Sequence, residues 1–234
     1  MSQPISPFSI QQILQQIRTS GAVLNPQLIR VIQQHQAEIT VPLRQLLAQK
    51  TILQDDESHS FARGHALVFL SSWGDSETIA ILHDVLLRHD DQLEIFYELI
   101  EYTVPAYGPE IIPVFAELIN DSDAPRASRI IASSLLSMIA HLHPLTAVVV
   151  SRILCQALPP PELAASQDSE LWSWIVAALA ELRSKSANTQ VRLLYTAGVL
   201  DPSICGRPEE FTQALNDTIY HISFRDPLYL YEQS

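Results

Sequence analysis

Three glutamates at helical spacing are the residues of this sequence whose chemistry could define a binding surface. Glu94, Glu98 and Glu101 follow i, i+4, i+7 spacing, which places their carboxylates on one face of a helix. Like charges at this spacing destabilise an isolated helix by about 0.2–0.5 kcal/mol per pair, so we expect the face to have a use. It could contact a basic surface of a partner, and the alternative is an ordinary solvated face near a helix start.

The glutamates lie in a long acidic segment. Residues 89–125 contain nine carboxylates and neither Lys nor Arg, and the whole chain has a formal net charge of -12 and a pI of about 5.0. Nucleic acids and anionic membranes are bound through clustered Lys and Arg, so this composition disfavours both. We therefore predict that the partner is another protein, with a basic surface where it meets this segment.

A second polar face follows the acidic segment. Arg126, Arg129 and Ser133 recur at spacings of three and four, which places them on one side of a helix. We expect Arg126 to pair with a carboxylate of the preceding turn, Asp121 or Asp123. Arg129 and Ser133 are then the better candidates for contact with a ligand.

Two tryptophans stand two residues apart. On a helix, Trp172 and Trp174 point about 200° apart, so at most one of them is expected in the core. The other is expected at the surface, where tryptophan is enriched in binding hot spots. The alternative is a partly exposed side chain beside the proline-rich loop that precedes it.

No motif for catalysis, cofactor binding or membrane insertion is present. The chain lacks a Gly-x-Ser-x-Gly turn and a Gly-rich phosphate loop, and no two histidines have the spacing that binds zinc. The most apolar short stretch, residues 147–153, is interrupted by Ser151 and Arg152 and is far shorter than a membrane span. We predict no catalytic residue, no cofactor and no metal. Cys155 and Cys205 are expected to be reduced thiols of a cytoplasmic protein without a signal peptide.

Helical periodicity recurs along the whole chain, and the 6 glycines and scarce β-branched alternation argue against sheets. Two further helices are expected after the caps Asp75 and Asp90 or Asp91. Residues 50–58 and 159–169 are expected to be loops. The other predicted helices cover residues 10–17, 26–32, 40–49, 59–72, 109–120, 126–142, 146–158, 169–183, 188–200 and 208–223.

One stretch carries a family resemblance. Residues 108–144 contain a helix with Pro113 inside it, a polar turn Asp-Ser-Asp-Ala-Pro, and a helix that begins Arg-Ala, and this arrangement resembles a HEAT repeat. Residues 61–67 resemble the start of a second repeat helix, and residues 39–144 are similar to uncharacterised bacterial HEAT-like proteins, for which no reaction is established. The resemblance implies an all-α, right-handed α-α superhelix of about five to six antiparallel helix pairs in one domain, residues 1–234.

The resemblance also suggests functions. HEAT-like arrays bind proteins, and their second helices line a concave groove, so we predict a non-catalytic scaffold or adaptor. The groove residues would be Arg63, Arg129, Ser133, and Trp172 or Trp174. The alternative is a HEAT-fold enzyme, either a bilin lyase or a DNA alkylpurine glycosylase. A glycosylase would place Asp168 beside the tryptophans, but the acidic charge opposes DNA binding.

The last residues form an aromatic tail, residues 224–234, in which Pro227 prevents continuation of the preceding helix. We predict that the tail packs as a cap over the last helix pair, since the ends of repeat arrays need covering. The alternative is a peptide that docks on a partner.

Overall fold

In the computed structural model of the chain, the described residues are 9–49, 57–88, 94–160, 168–216 and 226–231, and their regular structure is entirely helical. The all-α prediction is therefore confirmed. Short 3-10 segments cover Val104–Ile111, Pro144–Thr146, Lys185–Ala187 and Pro227–Tyr231. The α-helices are α1 (Ile10–Thr19), α2 (Pro26–Gln34), α3 (Gln36–Ala48), α4 (Glu57–Ser72), α5 (Glu77–Leu87), α6 (Glu94–Thr103), α7 (Ile112–Asn120), α8 (Arg126–Leu142), α9 (Ala147–Ala157), α10 (Ser169–Glu181), α11 (Asn188–Thr196), α12 (Pro202–Cys205) and α13 (Pro208–Ala214).

The start of α2 lies where the sequence predicts it. The Asn25 side chain accepts a hydrogen bond of 2.8 Å from the Gln27 N–H, and Pro26 is the first residue of α2. This arrangement satisfies a backbone donor that the helix leaves unpaired, and the missing N–H of proline costs nothing there. Pro113 likewise lies in the first turn of α7, one of the two places predicted for it.

Helix α3 differs from its prediction. It begins at Gln36 and not at Thr40, and Pro42 lies inside it and not in its first turn. Ile39 and Leu43 are fully buried, and this packing outweighs the hydrogen bond that Pro42 cannot donate. The loop predicted at residues 50–58 is also wrong at its end, because residues 57 and 58 belong to α4. Residues 50–56 lie outside the described part.

The described residues cluster into two compact units. Unit 1 contains residues 9–49, 57–84, 94–106 and 226–231. Unit 2 contains residues 85–88, 107–160 and 168–216. The single domain over residues 1–234 stays a prediction.

Unit 1 is built around α4, which packs against α1, α3, α6 and the 3-10 segment Pro227–Tyr231. Ala62, Ala66 and Phe69 are fully buried along α4. A Cβ added at Gly64 would meet the end of the Leu99 side chain of α6, so a larger residue at this position would require that side chain to shift.

Unit 2 is built around α8, which packs against α7, α9 and α10. The α7–α8 pair is antiparallel. At one end, Arg129 Nε donates to the Ile119 carbonyl at 3.0 Å, and at the other, Gly108 lies against the ring of His143. The helix bounds predicted for α8 are confirmed, whereas the segment before α7 is a 3-10 segment interrupted at Gly108 and not part of one helix from residue 109.

The C-terminal part of unit 2 has shorter helices than predicted. Helix α11 ends at Thr196, before Gly198 with its positive φ of 69°, and not at Leu200. The short α12 was not predicted. It begins after Asp201, whose side chain accepts from the Ser203 N–H. Helix α13 is described to Ala214, and residues 217–223 of its predicted range lie outside the described part.

Candidate functional site

Three exposed apolar side chains of unit 2 lie close together in sequence where the segment Pro144–Thr146 leads into α9. Leu145, Val148 and Val149 are 98%, 71% and 49% exposed. Val148, Val149 and Arg152, which is also exposed, share one side of α9 through i, i+3 and i, i+4 spacing, and Leu145 precedes them in the 3-10 segment Pro144–Thr146. We call these four residues the α9 ridge.

The elements around the ridge fix its position. The segment Pro144–Thr146 joins α8 to α9, and the Thr146 hydroxyl donates to the His143 carbonyl at 2.8 Å. On the opposite side of α9, Val150, Ser151 and Leu154 are buried. That side packs against α7, α8 and α10, so the ridge is held facing solvent.

The composition of the ridge is not explained by helix stability. Val148 and Val149 are β-branched, and such residues are weaker helix formers than the polar residues usual at exposed positions. Contiguous apolar side chains at a surface are instead typical of contacts with other proteins. The sequence contained the signal, since residues 147–153 are its most apolar short stretch, but exposure could not be read from it.

The predicted acidic stripe lies on one helix, because Glu94, Glu98 and Glu101 all belong to α6. The side chains of Glu94 and Glu98 lie outside the described part of the structure. Glu101 is half-buried and has an interaction partner, so it is not a fully solvated carboxylate. The use of this face in binding stays a prediction.

Three of the predicted groove residues are not at the surface. Arg63, Ser133 and Trp172 are buried, with exposures of 5%, 0% and 5%. The reason is that α4 and α8 are the central helices of their units and are covered by several neighbours. The Ser133 hydroxyl donates to the Ile130 carbonyl of its own helix at 2.7 Å, so it needs no external partner.

Arg129 is half-buried and serves the fold. Its Nε bonds the last turn of α7, and burial lowers the pKa of its guanidinium, while Asp168 and Asp121 oppose that shift. Arg126 does not pair with Asp121 or Asp123 as predicted. Its Nε lies 3.5 Å from Glu170 Oε2, which joins α8 to α10.

The tryptophan prediction is confirmed. Trp172 is 5% exposed and Trp174 is 40% exposed, as their two-residue spacing requires. Trp174 is the groove candidate that remains at the surface.

The aromatic tail lies elsewhere than predicted. The segment Pro227–Tyr231 packs against α4 in unit 1 and not over the last helix pair. The Tyr231 hydroxyl lies 2.7 Å from His65 Nδ1, and its ring stacks on Phe69 with centroids 5.8 Å apart. The Ser72 hydroxyl donates to Asp226 Oδ1 at 2.8 Å. Residues 226–231 of the tail therefore pack onto the core of unit 1.

Within the described residues, no group of three or more His, Cys, Asp or Glu side chains could hold a metal ion. In the same part of the chain, no helix has the length and hydropathy needed to cross a bilayer. Comparison of the chain with protein-family models, with curated proteins and with solved structures found no match.

Proposed function

We propose that this protein is a non-catalytic, protein-binding scaffold and that the α9 ridge is its contact surface. The observation that carries the proposal is the exposure of Leu145, Val148 and Val149 on a helix whose other side is fixed in unit 2. Burying an aliphatic side chain of this size completely contributes about 1.5–3 kcal/mol. A partner that covered the ridge would bury three such side chains on one rigid face, and each would add to the free energy of binding.

We further propose a HEAT-like, right-handed superhelix of about five to six helix pairs acting in the cytoplasm. The antiparallel α7–α8 pair, the polar turn between its helices and Pro113 in the first helix support the repeat assignment. Cys155 and Cys205, which are both free thiols, support a reducing compartment.

The proposed contact surface differs from the groove that the resemblance suggests. Of the groove candidates, only Trp174 is well exposed, whereas the ridge lies on α9. The acidic face of Glu94, Glu98 and Glu101 remains a second proposed surface, for a basic partner. The two surfaces differ in their response to salt. Binding at the acidic face should weaken steeply with ionic strength, and apolar binding at the ridge should persist.

The test replaces the apolar ridge side chains with glutamine. We expect Val148→Gln/Val149→Gln to abolish capture of protein partners by the immobilised chain at both 0.1 and 0.5 M salt, while the thermal unfolding midpoint is unchanged or slightly higher. Glutamine is the better helix former, so the fold should not suffer. The matched control is Val23→Gln/Val41→Gln in unit 1, where both valines are similarly exposed, at 55% and 54%.

Two results would contradict the proposal. Equal loss of capture in both double variants would show a general effect of surface polarity. Full capture by the Val148→Gln/Val149→Gln variant would remove the ridge as the contact surface, and if that capture disappeared at 0.5 M salt, the acidic face would take its place.

A further inference from the structure

One end of the α9 ridge carries a positive charge. Arg152 is exposed, one turn after the apolar residues, and makes no ion pair or side-chain hydrogen bond with the part of the chain that the structure describes. Its guanidinium is therefore available to a ligand. Since Arg152 shares the helix side of Val148 and Val149, a molecule that covers the valines also reaches the charge.

The surroundings of the ridge strengthen this positive character. Residues 124–161 contain three arginines, at positions 126, 129 and 152, and no Asp or Glu, in a chain whose formal net charge is -12. Of the carboxylates on the helices packed against α9, Glu170 lies 3.5 Å from Arg126, and Glu181 accepts a hydrogen bond from Ser137 at 2.8 Å. Glu117 on α7 is exposed. At physiological ionic strength, charges beyond about 8 Å are largely screened, so the charges close to the ridge determine which charged ligands it attracts.

The size of the ridge limits what can cover it. From Leu145 to Arg152 the ridge covers eight residues, a rise of about 10 Å, or two helical turns. Its apolar part, from Leu145 to Val149, covers about 6 Å of that length. An amphipathic segment with an apolar stripe at i, i+3 or i+4, and i+7 can cover this part and place a charged residue at one end of the stripe opposite Arg152.

We infer that the α9 ridge binds an amphipathic segment of another protein that carries an acidic residue beside its apolar stripe. The apolar side chains cover Leu145, Val148 and Val149, and the carboxylate pairs with Arg152. The inference rests on the proposed function and adds the chemistry of the partner. The apolar contact supplies most of the affinity, and the ion pair at its rim selects acidic partners over basic ones.

The test uses a defined probe, a displayed library of amphipathic helical peptides. Leucine is fixed on one side at i, i+4 and i+7, and the flanking positions vary among Glu, Lys, Gln and Ser. The immobilised full chain selects binders, which are then measured singly. We expect selected peptides to be enriched in Glu at one end of the stripe. For those peptides, Arg152→Glu should weaken binding roughly three- to tenfold.

Two variants provide the controls. Arg192→Glu reverses another exposed arginine on a helix of unit 2 that makes no ion pair with a described residue, and it should leave binding and selection unchanged. Selection on Arg152→Glu itself should exchange the preference for Glu for a preference for Lys. Such an exchange is expected only if residue 152 contacts the peptide, because a general change of charge would act equally at position 192.

The possible failures separate the two proposals. Peptides that lose binding to Val148→Gln/Val149→Gln but keep the same flanking composition on Arg152→Glu would overturn the acidic partner and leave the ridge as a contact surface. Selection of no peptide that depends on Val148 and Val149 would overturn both the ridge and the partner chemistry.

Discussion

His65 is held in one tautomer by its two hydrogen bonds. Its Nε2 lies 2.9 Å from the Gly21 carbonyl, which can only accept, so Nε2 carries the proton. Nδ1 is then free to accept from the Tyr231 hydroxyl at 2.7 Å. Burial lowers the pKa of His65, although the bond to Gly21 opposes that shift, and burial raises the pKa of Tyr231. Both side chains are therefore neutral in the folded protein.

Because folding lowers the pKa of His65, the free energy of unfolding decreases as the pH falls. Below the unfolded pKa of His65, about 6.5, the unfolded chain binds a proton that the folded chain resists. The contribution is complete above that value and is lost as pH falls through the folded pKa. We expect the free energy of unfolding, measured in urea, to fall between pH 7.5 and 5.5 less steeply in His65→Gln than in the wild type. Parallel slopes in the two proteins would contradict the assignment.

Arg44 joins α3 to the start of α5 through two carboxylates of different exposure. Its guanidinium binds Asp75, which also accepts from the Thr78 hydroxyl at 2.6 Å, and it binds Glu77. Burial alone would raise the pKa of Asp75, but the hydrogen bonds from Arg44 and Thr78 outweigh it and hold that pKa below its usual value. The Asp75 side chain is 11% exposed and that of Glu77 is 73% exposed.

The Asp75 and Glu77 carboxylates should therefore contribute unequally to the free energy of unfolding. We expect Asp75→Asn to lower the free energy of unfolding by about 1–3 kcal/mol, since it weakens charge-assisted hydrogen bonds at a largely buried site. Glu77→Gln removes the exposed partner of the same arginine and should cost less than about 1 kcal/mol. Denaturant unfolding at pH 7 measures both. Equal losses would show that burial does not set the strength of this network.

At the scale of elements, Gly108 allows the turn that leads into α7. Its φ is 63°, and an added Cβ would lie 3.2 Å from His143 Nε2 at the end of α8. We expect Gly108→Ala to lower the unfolding midpoint through both backbone strain and this contact, a cost of at least about 1–3 kcal/mol. Gly74→Ala has a similar φ of 65° with nothing within 4 Å, so it measures the strain alone. A smaller loss in Gly108→Ala than in Gly74→Ala would contradict the role given to His143.

Helix type and many helix starts could be predicted from the sequence because they depend on local chemistry. Asn25 followed by proline specifies the start of α2, and the turn before Arg126 specifies the start of α8. The early start of α3 could not be predicted, since tertiary packing of Ile39 and Leu43 overrides the local signal of Pro42. The exposure of Val148 depends in the same way on which neighbours cover α9, and no local pattern encodes that.

The predicted site residues also divide into those whose burial follows from local spacing and those whose burial depends on tertiary packing. Spacing sufficed to predict that only one of Trp172 and Trp174 is buried, because a helix separates them geometrically. Ser133, predicted from its spacing, and Arg63, predicted from the resemblance, are both buried, although their polar character indicated a surface. Polar side chains can be buried when the fold satisfies them, as the Ile130 carbonyl does for Ser133.

At the scale of the whole molecule, the tail and α4 form one compact unit although they are distant in sequence. We expect Tyr231→Ala to accelerate amide hydrogen exchange in α4 and to leave α10 of unit 2 unchanged, because the hydrogen bond and ring contacts of the tyrosine are made with His65 and Phe69 of α4. Leu230→Ala, beside it and more exposed, is the control. Faster exchange in both α4 and α10 would show that the two units unfold together.

The position of Tyr231 has a consequence for how the chain is made. A ribosome releases residues in order, so His65 and Phe69 emerge long before the tyrosine that completes their surroundings, and all described residues of unit 2 emerge between them. Proteins usually complete their N-terminal part first during synthesis. Here unit 2 can make its contacts before residues 226–231, which complete the packing of unit 1, have been synthesised. His65 and Phe69, although translated early, thus reach their final packing late.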